Sequence, residues 1–175
     1  MIKIKFLIFI TGYWYRLLNQ DSTFGNFYNN SVHSVGAYGL WIFPSYAPLT
    51  FNAAFDTFVS YLNDKGAEWV STNRVQFKNF VVYDHATSGI ETKAITYNQN
   101  INTPFLKYFY DEFNGPSIVN STIIGNSDSY SNTSITPIGL AIAWDRGELI
   151  KNIKFINFPD DKSTAIARST DGTCT

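Results

Sequence analysis

The sequence predicts an all-β protein, a fragment of a right-handed parallel β-helix with one short helical insertion. Three observations predict this fold: a degenerate repeat, short apolar runs of strand length, and polar insertions between copies of the repeat. Each copy has an apolar residue, a spacer, an Asn, a short alternating strand, a polar turn and a second strand that usually opens with Gly. Because one coil cannot bury its inner face alone, consecutive coils must stack.

The first eleven residues stand apart from the repeats. Two lysines precede the apolar run from Phe6 to Ile10, which is similar to the start of a signal peptide. The run continues directly into Tyr13 and Trp14 without a small-residue cleavage site, and it is too short to span a bilayer as a helix. We interpret residues 1–11 as an incidental segment or a truncated strand, and residues 12–175 as a partial β-helix domain.

The copies of the repeat differ in clarity. In the clearest copy, Phe77, Asn79 and Val82 are followed after a polar turn by Gly89 and Ile90. Alternation in such runs places successive side chains on opposite faces of a strand. The Asn side chains could form a stacked ladder at a corner of the coils, although Asn is also a common turn residue. The anchors are separated by 49, 41 and 32 residues, and they are Asn30, Asn79, Asn120 and Asn152.

The spacing between the anchors leaves room for insertions. In the first gap, apolar residues recur at helical spacing, which predicts an amphipathic helix over about 52–63, from Asn52 to Asn63, packed on the coils. Thr50 or Asn52 can cap its start, and Gly66 can end it. A second insertion, from Gly125 to Pro137, is rich in polar residues and predicts a solvated loop. The apolar residues of the expected helix are Phe51, Phe55, Phe58, Val59 and Leu62.

Composition excludes several classes of function. Thirteen Lys and Arg balance fourteen Asp and Glu, and no basic stripe offers a surface for nucleic acid. The single cysteine, Cys174, allows no internal disulfide, so it is either a free thiol or half of a bridge to a residue outside this chain. No nucleotide-binding loop, nucleophile elbow or zinc motif occurs, so no cofactor or metal is expected.

Seven blocks of the sequence follow one another in a recognisable order: Gly12 to Arg16, Asn29 to Ser34, Gly39 to Phe43, Lys65 to Val70, Val75 to Phe80, Gly89 to Lys93 and Ile150 to Cys174. In this order they resemble the β-helix region of the fibrocystin-L family. The same architecture is shared more distantly by fibrocystin and by the cell-migration-inducing hyaluronidase group. The resemblance implies a segment of a much longer extracellular or cell-surface protein, often membrane-anchored, with protein or polysaccharide ligands. Cysteines expected between Trp41 and Lys65 are absent, so extracellular disulfides do not carry over.

Candidate catalytic residues follow from the chemistry of glycoside hydrolysis, which uses paired carboxylates. Asp84 and Glu91 flank the polar turn after the clearest strand, and His33 lies in the weakest copy of the repeat. They are the candidates for a hyaluronidase-like glycoside hydrolase. The alternative is that the two carboxylates bound an ordinary solvated turn and that His33 is a core or turn residue.

Candidate glycan contacts are aromatic and polar side chains near the same turns. Trp41 and Trp69 could stack on sugar rings, and His85 and Lys93 could bond to hydroxyl or carboxylate groups. Aromatic area is chiefly buried area, so packing in the core is the alternative for both tryptophans.

Three Asn-X-Ser/Thr sequons are candidates for N-glycosylation, at Asn29, Asn120 and Asn132. Asn132 lies in the polar insertion, whereas Asn120 is also an anchor of the repeat. Two functions therefore remain open: a non-enzymatic extracellular structural or interaction segment, and a module that binds or cleaves hyaluronan or a related glycan. Clustering of Asp84, Glu91 and His33 with an exposed Trp in one groove would favour the second.

Overall fold

The computed structural model describes residues 11–15, 22–23, 25–43, 46–48, 50–95, 115–128, 135–145, 147–159 and 161–169. These residues form β-strands and connecting turns, and they contain no helix. Hence none of them belongs to a helix long and apolar enough to cross a membrane. The strands are β1 (Thr11–Tyr15), β2 (Phe27–His33), β3 (Tyr38–Ile42), β4 (Ala53–Tyr61), β5 (Lys65–Thr72), β6 (Val75–Tyr83), β7 (Ser88–Ile95), β8 (Ser117–Ile124), β9 (Ile138–Ile142), β10 (Leu149–Ile156) and β11 (Thr164–Arg168).

The strands form two parallel sheets between which the chain alternates. One sheet has the order β1-β3-β5-β7-β9-β11, and the other has the order β10-β8-β6-β4-β2. Each coil thus contributes one strand to each sheet, beginning with β2 and β3 and ending with β10 and β11. β6, β8 and β10 lie side by side and parallel, as the shared Asn pattern predicts. The predicted all-β class and its parallel β-helix arrangement are confirmed.

Inward side chains of successive coils stack in columns. Phe27, Phe55 and Phe77 occupy the same register position, with ring centroids 5.1 and 5.9 Å apart. Phe58 and Phe80 form a parallel column at 5.1 Å. Four of these rings are fully buried, and Phe27 is 4% exposed. Since burying one Phe side chain stabilises by about 1.5–3 kcal/mol, these columns supply much of the cohesion between coils.

The strands of the five-stranded sheet share a left-handed residue in their middle. Its φ lies between 52° and 56°, a region that Asn tolerates better than other residues with a side chain. This residue inserts an extra outward position, so the inward side chains on either side of it are three residues apart instead of two. The left-handed residues occupy equivalent register positions on neighbouring strands, and they are Asn29, Thr57, Asn79, Asn120 and Asn152.

Two sequence predictions need correction. The segment predicted as a helix over Asn52 to Asn63 is strand β4, and its three-residue spacing between Phe55 and Phe58 arises from the left-handed Thr57. The first anchor is Asn29 and not Asn30, and the gap of 49 residues contains a complete coil. The structure therefore has a coil where the sequence predicted an insertion.

A glycine column explains why the second strand of each coil opens with Gly. A Cβ atom at Gly39 would lie 2.4 Å from the carbonyl oxygen of Gly66, and one at Gly66 would lie 2.3 Å from that of Gly89. Real Cβ atoms essentially never approach so closely, so a side chain here would force the coils apart. Gly12, Gly89 and Gly139 make equivalent contacts, and Ala165 follows them in the same register.

The predicted polar loop from 125 to 137 is partly described. Residues 125–128 and 135–137 form no strand, and the Thr136 N–H donates to the Gly125 carbonyl at 2.8 Å. Residues 1–10, the sequon at Asn132 and Cys174 lie outside the described residues.

Candidate functional site

Charged and aromatic side chains share one column on the outer face of the six-stranded sheet. Trp41, Glu68 and Glu91 occupy the same register position on β3, β5 and β7. Their neighbours along each strand, including Leu40 and Ile90, are fully buried in the core, so alternation places the column on the opposite face. The outer charge cluster consists of Trp41, Lys65, Glu68, Glu91 and Lys93.

Lys65 ties the two carboxylates together. Its Nζ atom donates to Glu68 Oε2 at 2.6 Å and to Glu91 Oε2 at 2.5 Å. Trp41 Nε1 donates to Glu68 Oε1 at 3.0 Å, and Ser169 Oγ donates to Glu91 Oε1 at 2.9 Å. Because each bond to Lys65 spans about 2.5 Å, the two accepting carboxylate oxygens are at most about 5 Å apart.

The cluster is largely withdrawn from water. The Glu68 side chain is 1% exposed, those of Lys65 and Glu91 are 12% exposed, and that of Lys93 is 30% exposed. Burial alone would raise the pKa of Glu91, but the hydrogen bond and charge of Lys65, with Ser169 and Lys93, outweigh it and lower that pKa. Burial likewise opposes the charge on Lys65, and the bonds to Glu68 and Glu91 more than offset it, so the Lys65 pKa is raised.

This arrangement suits cohesion better than acid and base catalysis. A retaining glycosidase places its two carboxyl groups about 5–5.5 Å apart, and the two oxygens bonded to Lys65 are at most about that far apart. However, such an enzyme needs one carboxyl with a raised pKa, so that it can act as the acid. Glu91 has a lowered pKa, and Lys65 occupies the position between the two carboxylates. The cluster therefore acts as an ionic clamp between β5 and β7.

Three aromatic rings stack against Trp41. The rings of Tyr38 and Phe43 stack on it at 4.7 Å with interplanar angles of 4° and 2°. Trp14 stacks against it at 5.5 Å and is itself 52% exposed. A sugar ring consequently has more open aromatic surface at Trp14 than at the predicted Trp41.

The three predicted catalytic residues do not converge. Asp84 is 4% exposed, and its carboxylate accepts from the Ser127 backbone N–H at 2.8 Å and from the Ser127 hydroxyl. Glu91 belongs to the outer charge cluster. His33 is exposed at the end of β2 in the other sheet, where its ring stacks on Tyr61 at 4.7 Å. The structure therefore brings Glu91 and Lys93 together, and it leaves Asp84 and His33 in separate networks.

Two of the predicted glycan contacts lie in the protein interior. Trp69 is fully buried and packs on Phe77, with ring centroids 4.7 Å apart. His85 is 1% exposed; its Nδ1 lies 3.3 Å from the Asn63 N–H, and its Nε2 lies 3.2 Å from the Ser60 carbonyl. Burial lowers the pKa of His85 to about 4, so the ring is neutral. Because Nδ1 accepts from the Asn63 N–H, the ring proton is on Nε2, which donates to the Ser60 carbonyl. Trp69 points inward because of its alternating position on β5. His85 lies in the turn after β6, and this turn directs its ring into the core.

Glu148 is a perturbed carboxyl that the sequence did not indicate. Its Oε1 atom lies 2.5 Å from Thr92 Oγ1 and accepts from the Ala143 N–H at 3.0 Å, while its Oε2 atom is buried without a described partner. Burial raises the pKa of Glu148 to about 7. The Thr92 hydroxyl also lies 3.1 Å from the Ala141 carbonyl, and one hydroxyl proton cannot serve both oxygens. If Oε1 of Glu148 is protonated, it donates to Thr92 Oγ1 and the Thr92 hydroxyl donates to the Ala141 carbonyl, whereas Oε2 remains without a described partner.

The two described sequons lie on strands of the five-stranded sheet. Asn29 and Asn120 are exposed, and Asn120 Oδ1 accepts from Asn152 Nδ2 at 3.0 Å, which is one rung of the proposed Asn ladder. Among the described ranges, no group of three or more His, Cys, Asp or Glu side chains could hold a metal ion.

Comparisons with known proteins identify one kind of relative. The chain is 31% identical to human fibrocystin-L and 31% identical to mouse fibrocystin-L, in each case over 93% of its own length. It spans only about 4% of the length of these curated relatives. No family model and no solved structure matches the chain. A relation to the cell-migration-inducing hyaluronidase group is not among these findings and stays a prediction. The chain is therefore related, over nearly its whole length, to a segment of fibrocystin-L.

Proposed function

We propose that the chain is a non-enzymatic structural and interaction segment of a longer fibrocystin-L-like protein, located outside the cell or at its surface. The observation that carries this proposal is the ionic clamp in the outer charge cluster. Lys65 holds Glu68 and Glu91 together across two coils, and the remaining predicted catalytic residues lie elsewhere. Stacked coils with fully buried aromatic columns form a stiff support on which loops can be displayed.

Extracellular exposure can be tested through the two described sequons. Both Asn residues have φ near 55°, so replacing them would disturb the backbone as well as the sequon. The better changes are Ser31→Ala and Thr122→Ala, with Ser31→Thr and Thr122→Ser as controls that keep the sequon. All variants also carry Ser134→Ala, which removes the third sequon at Asn132. After expression in a secreting host cell, we expect peptide N-glycosidase to increase the gel mobility of the controls and not that of the variant that carries both Ser31→Ala and Thr122→Ala. Identical mobility of all variants before and after the enzyme would mean that neither sequon carries a glycan, which would contradict the proposed exposure of these sites in the secretory pathway.

The absence of glycan cleavage can be tested directly. Hyaluronan of defined length is incubated with the full chain, and its molar mass is followed by light scattering. We expect no shortening at any pH between 4 and 8. Shortening that is lost in Glu91→Gln or Glu148→Gln would overturn the non-enzymatic assignment.

The second candidate is a carbohydrate-binding module, which the exposed aromatic surface at Trp14 favours. Trp14 is 52% exposed beside the ring stack of Tyr38, Trp41 and Phe43, and Lys93 is the most exposed charged side chain of the adjoining charge cluster. Binding of hyaluronan oligosaccharides that weakens in Trp14→Ala and Lys93→Ala, but not in Lys162→Ala, would support it.

A further inference from the structure

We propose a separate binding site for a neutral saccharide in a groove at the start of β2 and β4. The groove has a volume of about 520 Å³, within the range of small-molecule sites. It lies on the five-stranded sheet, away from the outer charge cluster. Its principal side chains are Thr23, Asn26, Tyr28, Phe51, Asn52 and Asp56.

The aromatic side of the groove is open to solvent. Tyr28 is 66% exposed, the most exposed large apolar or aromatic side chain in the described ranges. Its strand neighbour Phe27 is buried in the core, so alternation turns Tyr28 outward. Phe51 is half-buried on the other coil. Ring faces of this kind pack against the apolar C–H face of a sugar, and a Tyr hydroxyl adds a polar contact.

The polar side of the groove has a preorganised acceptor. Asp56 is paired with Tyr28 in the register between β2 and β4. Its Oδ1 atom accepts from Asn79 Nδ2 at 2.7 Å and from Thr57 Oγ1 at 3.0 Å. Both donors reach the same oxygen, which fixes the carboxylate and leaves Oδ2 available to accept from two ligand hydroxyls.

The combination selects the class of ligand. Carboxylate, amide and hydroxyl groups beside exposed rings match a molecule with several hydroxyl groups and an apolar face. The charge of Asp56 repels an anionic sugar at close range, because like charges that are partly desolvated are costly. A neutral saccharide therefore fits the groove, whereas a uronic acid polymer does not. This inference is independent of the proposed structural function, which stands whether or not the groove binds sugar.

The test uses the full chain expressed without N-glycans, so that a glycan at Asn29 cannot compete. Glucose, galactose, mannose and N-acetylglucosamine oligosaccharides are titrated while Tyr28 is observed by NMR, with a hyaluronan tetrasaccharide as the anionic comparison. We expect at least one neutral sugar to bind, Tyr28→Ala and Asp56→Asn each to weaken Kd about tenfold, and Tyr28→Phe to retain it within about threefold. Lys154→Ala, on the same sheet but in the last coil, should leave Kd unchanged.

Three outcomes would overturn the site: no neutral sugar binding up to millimolar concentration, tighter binding of the hyaluronan tetrasaccharide than of any neutral sugar, or binding that Tyr28→Ala and Asp56→Asn leave intact. Thermal unfolding of each variant confirms that it is folded. Tyr28 is 66% exposed, so we expect Tyr28→Ala to unfold at the wild-type temperature.

Discussion

Strands β4 and β6 adopt the same geometry from different sequences. Each has two inward Phe residues three positions apart and a left-handed residue before the second one, Thr57 in β4 and Asn79 in β6, with φ of 52° and 56°. Thr at such a position is unfavourable, because its branched Cβ crowds the backbone. Since β4 nevertheless has the same left-handed bend in mid-strand as its neighbours, stacking between coils outweighs the local conformational preference of one residue.

The largest expected effect comes from the stacked rings that enforce this bend. Phe58→Ala in β4 should reduce the free energy of unfolding by about 3–5 kcal/mol, because Phe58 is fully buried between Tyr13 and Phe80. Val59→Ala, on the outer face of the same strand, should cost less than about 1 kcal/mol. Urea unfolding measures both. Equal effects of the two variants would mean that the inward column does not hold β4 in place.

A smaller effect is expected from the glycine column that spaces the same two coils. Gly66→Ala should destabilise by about 1–3 kcal/mol, since the new methyl group would approach the Gly89 carbonyl and the His85 ring. Gly147→Ala is the matched control, because nothing lies within 4 Å of its expected Cβ. Thermal unfolding that does not separate these variants would contradict the close approach of β5 and β7.

Exchange of the left-handed residues should have an effect of about 1 kcal/mol in opposite directions. Thr57→Asn should stabilise by up to about 1 kcal/mol, and Asn79→Thr should destabilise by about 1 kcal/mol, because Asn tolerates φ near 55° better than Thr. Neither change creates a sequon. Chemical denaturation of both variants and of the double variant checks the expectation. Destabilisation by Thr57→Asn would mean that the Thr57 bond to Asp56 matters more than its backbone conformation.

The same comparison explains what the sequence could predict. The sequence of β6 contains both the Asn of the repeat and the polar turn that follows, so it predicts a coil. The same pattern predicts the later coils at Asn120 and Asn152. In β4 the left-handed residue is Thr57, and the three-residue spacing between Phe55 and Phe58 is also that of a helix. Local periodicity cannot distinguish the two structures, because the bend is imposed by neighbouring coils.

The candidate site was less predictable, since its contacts cross between coils. Lys65 and Glu91 are 26 residues apart, and Thr92 and Glu148 are 56 residues apart. Register alone brings them together, and it depends on insertion lengths that a single sequence leaves undetermined. Glu91 and Lys93 were identified from their turn, whereas their partner Lys65 and the buried Glu148 had no local signal.

The smallest expected effect is the pH dependence of the wild-type chain, and it involves the turn after β6. His85 joins that turn to the coil of β4, and its pKa is lowered to about 4, so its contribution to stability is present above pH 6.5 and is lost as pH falls toward 4. Glu148 acts in the opposite direction. Its pKa is raised to about 7, so its contribution is present below pH 4.5 and is lost as pH rises toward 7.

Between pH 4.5 and 6.5 the two groups should nearly cancel. The unfolded chain gains a proton on His85, while the folded chain keeps one on Glu148. The two groups together therefore bind nearly the same number of protons in both states, and their joint contribution to stability should be nearly independent of pH. Glu148→Gln removes one side of this balance. Its unfolding free energy should then fall by up to about 1.4 kcal/mol for each unit that pH decreases within the window. Urea unfolding at pH 4.5, 5.5 and 6.5 measures both proteins, and parallel pH profiles would show that Glu148 is ionised in the folded chain.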